Sequence, residues 1–279
     1  MRFFKVLLLL LLSAPAVAEL EGFLLGGGLE TDSDDGLRAA LLTSIGFSEA
    51  TWLSAGVAMS SVELASGRDS DTKYADIELD HHFDPVGVSI GAGYWGDPDI
   101  LDSVDLRGSL YYRDDKLLLA AEYERREFDF IIPPSDFFPG RQFAFDADGI
   151  GARMRVHLSD TVSISAAGMQ YDYSVDFRPL DERDAILRLI SVSRLSLINN
   201  LIDSRASVAL GIDVGLRRWE LDYSTWKGAV DQARTNSITV RYLTPLSGRT
   251  DIEFGLGYDD SDLYGEATFF SVYLYFYGG

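Results

Sequence analysis

The sequence contains no cysteine and only three histidines in 279 residues. A chain without cysteine cannot build the disulfide framework that stabilises many small exported domains, and it has no Cys/His set for a structural zinc ion. It also has no P-loop and no dinucleotide-binding fingerprint. The sequence therefore predicts no cofactor and no metal, and the stability of the protein must come from packing or from a membrane.

Basic residues are scarce as well, since 24 Lys and Arg stand against 44 Asp and Glu, for a formal net charge of −20. Nucleic-acid-binding proteins carry clustered Lys and Arg that neutralise phosphates, so this balance argues against nucleic acid as a partner. The chain also has no Pro/Gly/Ser-rich linker and no break in composition, which favours a single folded domain.

No apolar stretch reaches the roughly 20 residues that a membrane-spanning helix needs. The run from Val6 to Leu12 is much shorter, follows a basic start and precedes Ala16 and Ala18, which are small residues of the kind that signal peptidase recognises. We interpret residues 1–18 as a cleaved export signal and residues 19–279 as the mature domain.

What the chain does contain is an apolar residue at every second position over most of its length. The pattern is clearest at the end, where one face of the last segment carries Phe270, Val272, Leu274 and Phe276. A period of two indicates β-strands with two unlike faces. Divided in this way, the sequence predicts an all-β fold of about 14 strands, with 12 or 16 as alternatives and with strands at about 144–158 and 205–214 among them.

The connections between these segments alternate between short turns, such as "RDDK" and "PLSGR", and longer acidic loops, such as "ETDSDDG" and "GDPDILDS". Aromatic residues gather at both ends of the strands, as the two girdles of a transmembrane barrel do. Toward the long loops these are Tyr94, Trp95, Tyr123, Tyr171, Tyr173, Tyr223, Trp226 and Tyr258; toward the turns they are Phe83, Tyr112, Tyr242 and Phe276. Together these features predict a transmembrane antiparallel up-and-down β-barrel rather than a soluble β-sandwich, which is the alternative.

Residues 181–203 break the period of two, because Ile186, Ile190, Leu197 and Leu201 recur at helical spacing. An even strand number also leaves no place for a further strand in a single-chain barrel. We expect one amphipathic helix here, in a long connection. It could enter the lumen, form a lid over it, or lie on the rim or the membrane surface.

If the apolar face contacts lipid, the opposite face lines the barrel interior. The candidate lumen-lining and selectivity residues on this face are Asp76, Glu78, Asp80, Asp105, Arg107, Glu122, Glu124, Arg153, Arg155, Asp213, Arg218, Glu220, Asp222, Arg241, Asp251 and Glu253, and the same alternation adds Arg38, Arg126 and Asp172. Unpaired buried charges cost several kcal/mol or more, so water must reach these groups. We expect a water-filled lumen whose acidic excess favours cations, while salt bridges that hold a narrow barrel shut are the alternative.

Two weaker patterns concern chemistry. In "RVHLSD", His157 stands two residues before Ser159, a faint likeness to the His-x-Ser pair of outer-membrane phospholipases, but at a short turn and without the surrounding motif. His81 and His82 are neighbours on one strand and must point to opposite faces, so they cannot easily share a metal ion. We therefore expect no enzyme, with a lipid hydrolase as the less favoured alternative.

The acidic loop "ETDSDDG" offers carboxylates to a calcium ion, although it lacks the spacing of an EF-hand loop. The favoured interpretation is a solvated acidic loop, in which divalent cations can bridge to lipopolysaccharide.

The signal segment "APAVA", the alternating strands and the closing "FFSVYLYFYGG" resemble Gram-negative outer-membrane β-barrels, and in size the chain looks like the monomeric 14-stranded porins. The resemblance implies an outer-membrane location, contact with lipid and lipopolysaccharide, and insertion by the barrel assembly machinery with periplasmic chaperones. It also implies an assembly signal, for which Phe270, Val272, Leu274 and Phe276 fit the pattern. The expected function is passive diffusion of small hydrophilic, cationic solutes; a non-conducting structural or sensing barrel is the alternative.

Overall fold

The computed structural model describes residues 21–63, 69–132, 141–175 and 201–278. Within these ranges the chain forms 14 strands: β1 (Gly22–Asp32), β2 (Leu37–Ser48), β3 (Thr51–Glu63), β4 (Asp69–His82), β5 (Val86–Asp97), β6 (Leu101–Arg113), β7 (Leu117–Ile132), β8 (Arg141–Ser159), β9 (Val162–Tyr173), β10 (Ile202–Val214), β11 (Arg217–Gly228), β12 (Arg234–Ser247), β13 (Thr250–Ser261) and β14 (Gly265–Gly278). In the described parts of the chain, no helix is long and apolar enough to cross a membrane.

The strands form one closed antiparallel barrel in which every strand pairs with its neighbours in sequence. The barrel closes where β1 pairs with β14, with Leu25 opposite Phe276 and Leu29 opposite Val272. Closure leaves no strand edge with unpaired backbone groups, which is the condition for crossing a membrane with strands. The predicted up-and-down barrel of 14 strands is therefore confirmed.

Every strand except β1 is longer than a membrane crossing requires. The strands run from 11 residues in β1 to 19 residues in β8, whereas a tilted strand crosses a bilayer with about 9 to 11 residues. The excess lies at the end of the barrel with the longer connections, where β7 and β8 pair as far as Ile132 and Arg141. The strand predicted at about 144 to 158 thus begins three residues earlier, at Arg141, because β7 offers it a partner there.

The outward face of the barrel is apolar along its middle. Large side chains such as Leu29 at 59 %, Ile90 at 69 % and Ile150 at 72 % exposure point away from the barrel. A soluble sandwich would bury this face, whereas a barrel in a bilayer presents it to lipid.

The concave face can be recognised from contacts that skip a strand. Arg107 on β6 lies 3.5 Å from Asp76 on β4, and the Tyr171 hydroxyl on β9 donates a 2.6 Å hydrogen bond to Glu124 on β7. Side chains on strands two apart converge on the inside of a curved sheet and diverge on the outside. These residues therefore face the lumen.

The helix predicted over 181–203 lies largely outside the described residues, which resume at 201. Its last two residues are not helical, because Ile202 and Asp203 begin β10. Ile202 pairs with Gly228 on β11, and its carbonyl accepts a 2.9 Å hydrogen bond from the Tyr173 hydroxyl. The predicted start of this strand at about 205 was therefore three residues late, because pairing with β11 extends it. The predicted signal peptide also lies outside the described residues.

The predicted aromatic girdles are only partly correct. Tyr123 and Tyr223 near the long connections and Phe83 and Phe276 near the turns are exposed on the outward face. Four of the aromatics predicted for the girdle near the long connections face the lumen instead: Trp95, Tyr171, Tyr173 and Trp226. Adjacent strand residues face opposite sides, so Trp95 must point inward when Tyr94 points outward.

The apolar core of the barrel lies inside its lumen, at the end with the longer connections. This outer cluster consists of Val62, Trp95, Ile100, Leu101, Phe128, Phe130, Phe145, Ala147, Met169, Tyr171, Leu201, Ala229 and Val230. The rings of Phe128 and Phe145 stack with centroids 4.6 Å apart. Because β3, β5, β6, β7, β8 and β9 and three of the connections all contribute, the cluster narrows the mouth of the barrel from several sides.

Candidate functional site

The inward face below the outer cluster is lined by charged side chains. The strand register places all sixteen predicted lumen residues on this face, together with Arg38 and Arg126. Asp172 was assigned wrongly, because it pairs with Asp148 on the outward face while its neighbour Tyr171 points inward. The role of the inward residues in selecting ions stays a prediction.

A first set of ion pairs lies on β4, β6, β7, β8 and β10. Arg107 pairs with Asp76 at 3.5 Å and Arg153 pairs with Glu122 at 3.2 Å. Glu124 lies 3.7 Å from Arg126 and 4.0 Å from Arg205. These pairs tie together strands that are not neighbours in the sheet, so they brace one side of the lumen.

A second network lies on β10, β11 and β12. Glu220 forms ion pairs with Arg241 at 2.7 Å and with Arg218 at 3.6 Å. Arg218 also pairs with Asp213 at 3.3 Å. The side chains of Asp213 and Arg241 are 40 % and 42 % exposed. These pairs are therefore wetted by the lumen rather than sealed in a dry core, and each contributes little to stability.

Closer to the turns, tyrosines bind two further inward carboxylates. Tyr111 donates a 2.8 Å hydrogen bond to Asp80, and Tyr277 donates one of 2.6 Å to Asp251. Tyr273 and Tyr275 lie on the same face of β14, and their stacked rings line the lumen wall next to Tyr277. A Cβ at Gly28 would collide with the Tyr273 ring, so glycine lets this ring lie flat against the barrel wall.

Arg126 links the charged lumen to the outer cluster. Its side chain is only 7 % exposed and contacts Asp105 at 3.4 Å and Glu124 at 3.7 Å. Its guanidinium also lies over three rings, those of Trp95, Phe128 and Tyr171, at 5.1 to 5.5 Å from their centroids. Carboxylates and π-faces together satisfy this buried cation from several sides.

The aromatic part of this site was missed in the sequence. Its signal was present, since Phe128 and Phe130 have the same parity as Glu124 and Arg126 on β7, and Phe143 and Phe145 face them on β8. If the alternation of inward and outward residues is continued beyond the charged part of β7, it assigns these rings to the lumen. Position near a strand end suggests a girdle, but the odd or even place of a residue along its strand decides which side its ring faces.

The His81–His82 and Ser159 patterns make local contacts in the structure. Within residues 21–63, 69–132, 141–175 and 201–278, no group of His, Asp and Glu could hold a metal ion. His81 bonds Thr51 at 2.7 Å on the outward side, whereas His82 stacks on the inward Tyr111. The Ser159 hydroxyl accepts hydrogen bonds from the backbone N–H groups of the turn that it starts.

The acidic loop between β1 and β2 is organised around Asp32. Its carboxylate accepts the backbone N–H of Asp34 at 3.1 Å and of Gly36 at 2.8 Å. Partial burial and the neighbouring Asp32 raise the pKa of Asp34 above its usual value. Through these two hydrogen bonds the Asp32 carboxylate closes the turn of the loop, as aspartates commonly do.

A closed barrel with an apolar outer surface and a charged lumen has the architecture of a transmembrane β-barrel. Comparison of the sequence with family models and with curated proteins gives no match. Among solved structures, the chain is similar to the CymD monoaromatic hydrocarbon channel, with 12 % identity over 92 % of this chain and 88 % of that one and a TM-score of 0.58.

It is also similar to a loop-L8 deletion mutant of OmpT, an outer membrane protein of Vibrio cholerae, with 12 % identity over 93 % of this chain and 99 % of that one and a TM-score of 0.53. A third is an anion-selective porin from Comamonas acidovorans, with 11 % identity over 93 % of this chain and 99 % of that one and a TM-score of 0.51. The chain thus has the fold of porin-like outer-membrane barrels, as the resemblance had indicated.

Proposed function

We propose that the protein is an outer-membrane channel for passive diffusion of small hydrophilic solutes, with a preference for cations. The observation that carries this proposal is the wetted, charged lumen. Arg153, Asp213 and Arg241 face inward with side chains 51 %, 40 % and 42 % exposed. Charged groups that keep this much contact with water inside a closed barrel provide a path for ions.

The preference for cations follows from the balance of inward charges. Acids on this face outnumber bases, and five inward arginines are paired with them: Arg107, Arg126, Arg153, Arg218 and Arg241. A paired arginine contributes little net potential, so the remaining carboxylates, such as Glu78 and Glu253, set the sign of the field. Similar structures include a hydrocarbon channel and an anion-selective porin, so the fold leaves the preference to each chain's own residues.

Planar-bilayer recording of the refolded chain from residue 19 tests the proposal. We expect discrete conductance steps and a reversal potential, in a KCl gradient, that indicates K⁺ over Cl⁻. The Glu220→Gln variant should shift the reversal potential toward Cl⁻, because Arg218 and Arg241 both lose a carboxylate partner. Glu127→Gln on the outward face is the matched control and should leave it unchanged.

The absence of steps at all voltages would contradict the channel, and Cl⁻ preference in the unmodified protein would contradict the charge argument alone. The second candidate is a non-conducting structural or sensing barrel. It is favoured by the outer cluster, where Phe128, Leu101 and Val230 are each 1 % exposed. If the outer cluster stays packed across the mouth of the barrel at all times, it blocks the passage of ions.

The proposed setting is the outer membrane of a Gram-negative bacterium. In this proposal lipid contacts the apolar belt, and divalent cations bridge lipopolysaccharide to the acidic loop "ETDSDDG" between β1 and β2. Assembly machinery and periplasmic chaperones are the expected partners during insertion. The proposed assembly signal, Phe270 to Phe276 at every second place, lies on the outward face of β14.

A further inference from the structure

A stripe of aromatic side chains lies in the half of the lumen toward the short turns, outside the two sets of ion pairs. It consists of Trp52 on β3 and of Tyr273 and Tyr275 on β14, and each of these side chains keeps part of its surface exposed. The register places them on the inward face, where Trp52 stands opposite Asp80 and Tyr275 opposite Asp251. We call these three residues the aromatic stripe.

Glycines let the rings of the aromatic stripe lie with one face against the wall. A Cβ at Gly28 would be nearest to three consecutive atoms of the Tyr273 ring, at almost equal distances. A point that is so close to three consecutive ring atoms lies over the face of the ring, not beyond its edge. The same holds at Gly46, where three consecutive atoms of the Trp52 indole would be 3.0 to 3.2 Å from a Cβ. The opposite faces of both rings are therefore turned to the lumen.

The Tyr275 ring continues this surface. Its plane is tilted by 13° from that of Tyr273, and the ring centroids are 6.3 Å apart, which is close to the spacing of alternate residues along a strand. Since the Tyr273 ring lies flat on the wall, a nearly parallel ring at this spacing lies beside it. Trp52 reaches within 4.0 Å of a Cβ at Gly22, so the three rings span about 20 Å along β1, from Gly28 to Gly22.

Carboxylates border the aromatic stripe on both sides. On one side, Glu253 and Asp251 of β13 are the register partners of the two tyrosines. On the other side, Asp80 of β4 is the register partner of Trp52, and Glu78 follows on the same face. A solute that lies on the stripe therefore has negative charge to either side of it.

Two arginines lie near the aromatic stripe, and each has a carboxylate beside it. Arg241 pairs with Glu220 at 2.7 Å. Arg38 is the register partner of Glu30, one inward row nearer the long connections than Tyr273. The charge along the stripe therefore stays negative.

We propose that the aromatic stripe binds organic ammonium ions whose nitrogen carries methyl groups, such as choline. The π-face of an aromatic ring attracts a cation, and methylated ammonium groups are characteristic ligands of such faces. The bordering carboxylates attract the same charge, whereas a neutral apolar solute would desolvate them without pairing them. An ammonium group without methyl groups is strongly hydrated and gains less from the rings.

The inference rests on the proposed channel, for which it names a solute class. Single-channel currents in KCl, recorded while choline is titrated, test it in bilayers of phosphatidylethanolamine and phosphatidylglycerol, which carry no choline headgroups. Ethanolamine serves as the cation without methyl groups, and the alcohol in which carbon replaces the nitrogen of choline serves as the neutral analogue. Choline should interrupt the current saturably, at concentrations about tenfold or more below those that either control requires.

Two double variants separate the ring faces from the hydroxyl groups. Tyr273→Leu combined with Tyr275→Leu should raise the half-saturating concentration of choline about tenfold, because two π-faces are lost. Tyr273→Phe combined with Tyr275→Phe is the matched control. Phenylalanine keeps the face and removes only the hydroxyl, so this variant should stay within about twofold of the unmodified protein.

Currents that choline leaves unaffected, that it interrupts equally in the leucine and phenylalanine variants, or that the neutral analogue interrupts as readily would overturn the site and leave the channel standing. If the unmodified protein does not conduct, the proposed channel fails, and equilibrium dialysis of the barrel in a maltoside detergent with radiolabelled choline decides the site. Saturable binding that the leucine variant loses and the phenylalanine variant keeps supports it. No binding to the unmodified barrel rejects it.

Discussion

At the scale of single residues, the exposure of a charged side chain decides how much its ion pair contributes to the stability of the fold. Arg126 and Arg153 both face the lumen and pair with glutamates, but their side chains are 7 % and 51 % exposed. An exposed pair is screened by water and contributes about 1 kcal/mol or less. Removing one partner from a buried pair leaves an uncompensated charge at a cost of about 3 to 5 kcal/mol.

Arg126→Met should therefore lower the free energy of unfolding by about 3 kcal/mol or more, since Asp105 and Glu124 stay buried without their cation. Arg153→Met, the matched control, should lower it by about 1 kcal/mol or less. Urea titration of the barrel in lipid vesicles measures both. Equal losses in the two variants would contradict the argument.

Asp114, in the short turn between β6 and β7, gives a dependence on pH. Its carboxylate accepts the N–H groups of Lys116 and Leu117, both at 2.8 Å, and these bonds lower its pKa from the usual 3.8. The stabilisation is complete above that value and is lost as the pH falls through the lowered pKa.

Asp114→Ala should therefore be less stable than the unmodified protein at pH 7, and the gap should narrow as the pH falls below 3.8. Melting temperatures across this range measure the gap. Asp115→Ala in the same turn is the control, and a gap that is constant with pH would refute the role of the charge.

At the scale of elements, two of the described connections, β11–β12 and β13–β14, pack at the outer end of the barrel lumen. Val230, between β11 and β12, is 1 % exposed within the outer cluster. The Tyr264 hydroxyl, between β13 and β14, donates a hydrogen bond to Asp231. Burial and this bond raise the pKa of Tyr264, so the contact persists at neutral pH. Two connections are thus joined over the lumen.

Val230→Asp should increase the single-channel conductance, because a carboxylate cannot stay buried among apolar groups and the connection must leave the cluster. Leu263→Asp is the control, since Leu263 is already 58 % exposed nearby. Bilayer recording compares the two. An unchanged conductance in Val230→Asp would mean that the cluster does not limit the ion path.

At the scale of the whole molecule, the two faces of the sheet differ in what they tolerate. Leu41 is 60 % exposed on the outward face, whereas its neighbour Leu42 faces the lumen opposite Gly26 and Gly56. A lysine facing the bilayer middle costs about 2 to 4 kcal/mol, but one in the lumen can stay hydrated.

Leu41→Lys should therefore weaken folding into vesicles by about 2 kcal/mol or more, and Leu42→Lys should weaken it less. Unfolding by denaturant in vesicles measures the difference. The reverse order would mean that the faces have been assigned to the wrong sides.

The sequence by itself determined the strand number and most of the division into faces, because a period of two can be recognised within each segment alone. It correctly placed Asp76, Glu220 and Phe270 on their faces by this means. Only the tertiary structure decided which inward residues meet. That depends on register across neighbouring strands, which brings Arg126 onto Trp95, turns Tyr171 into the lumen and sets Arg205 beside Trp226.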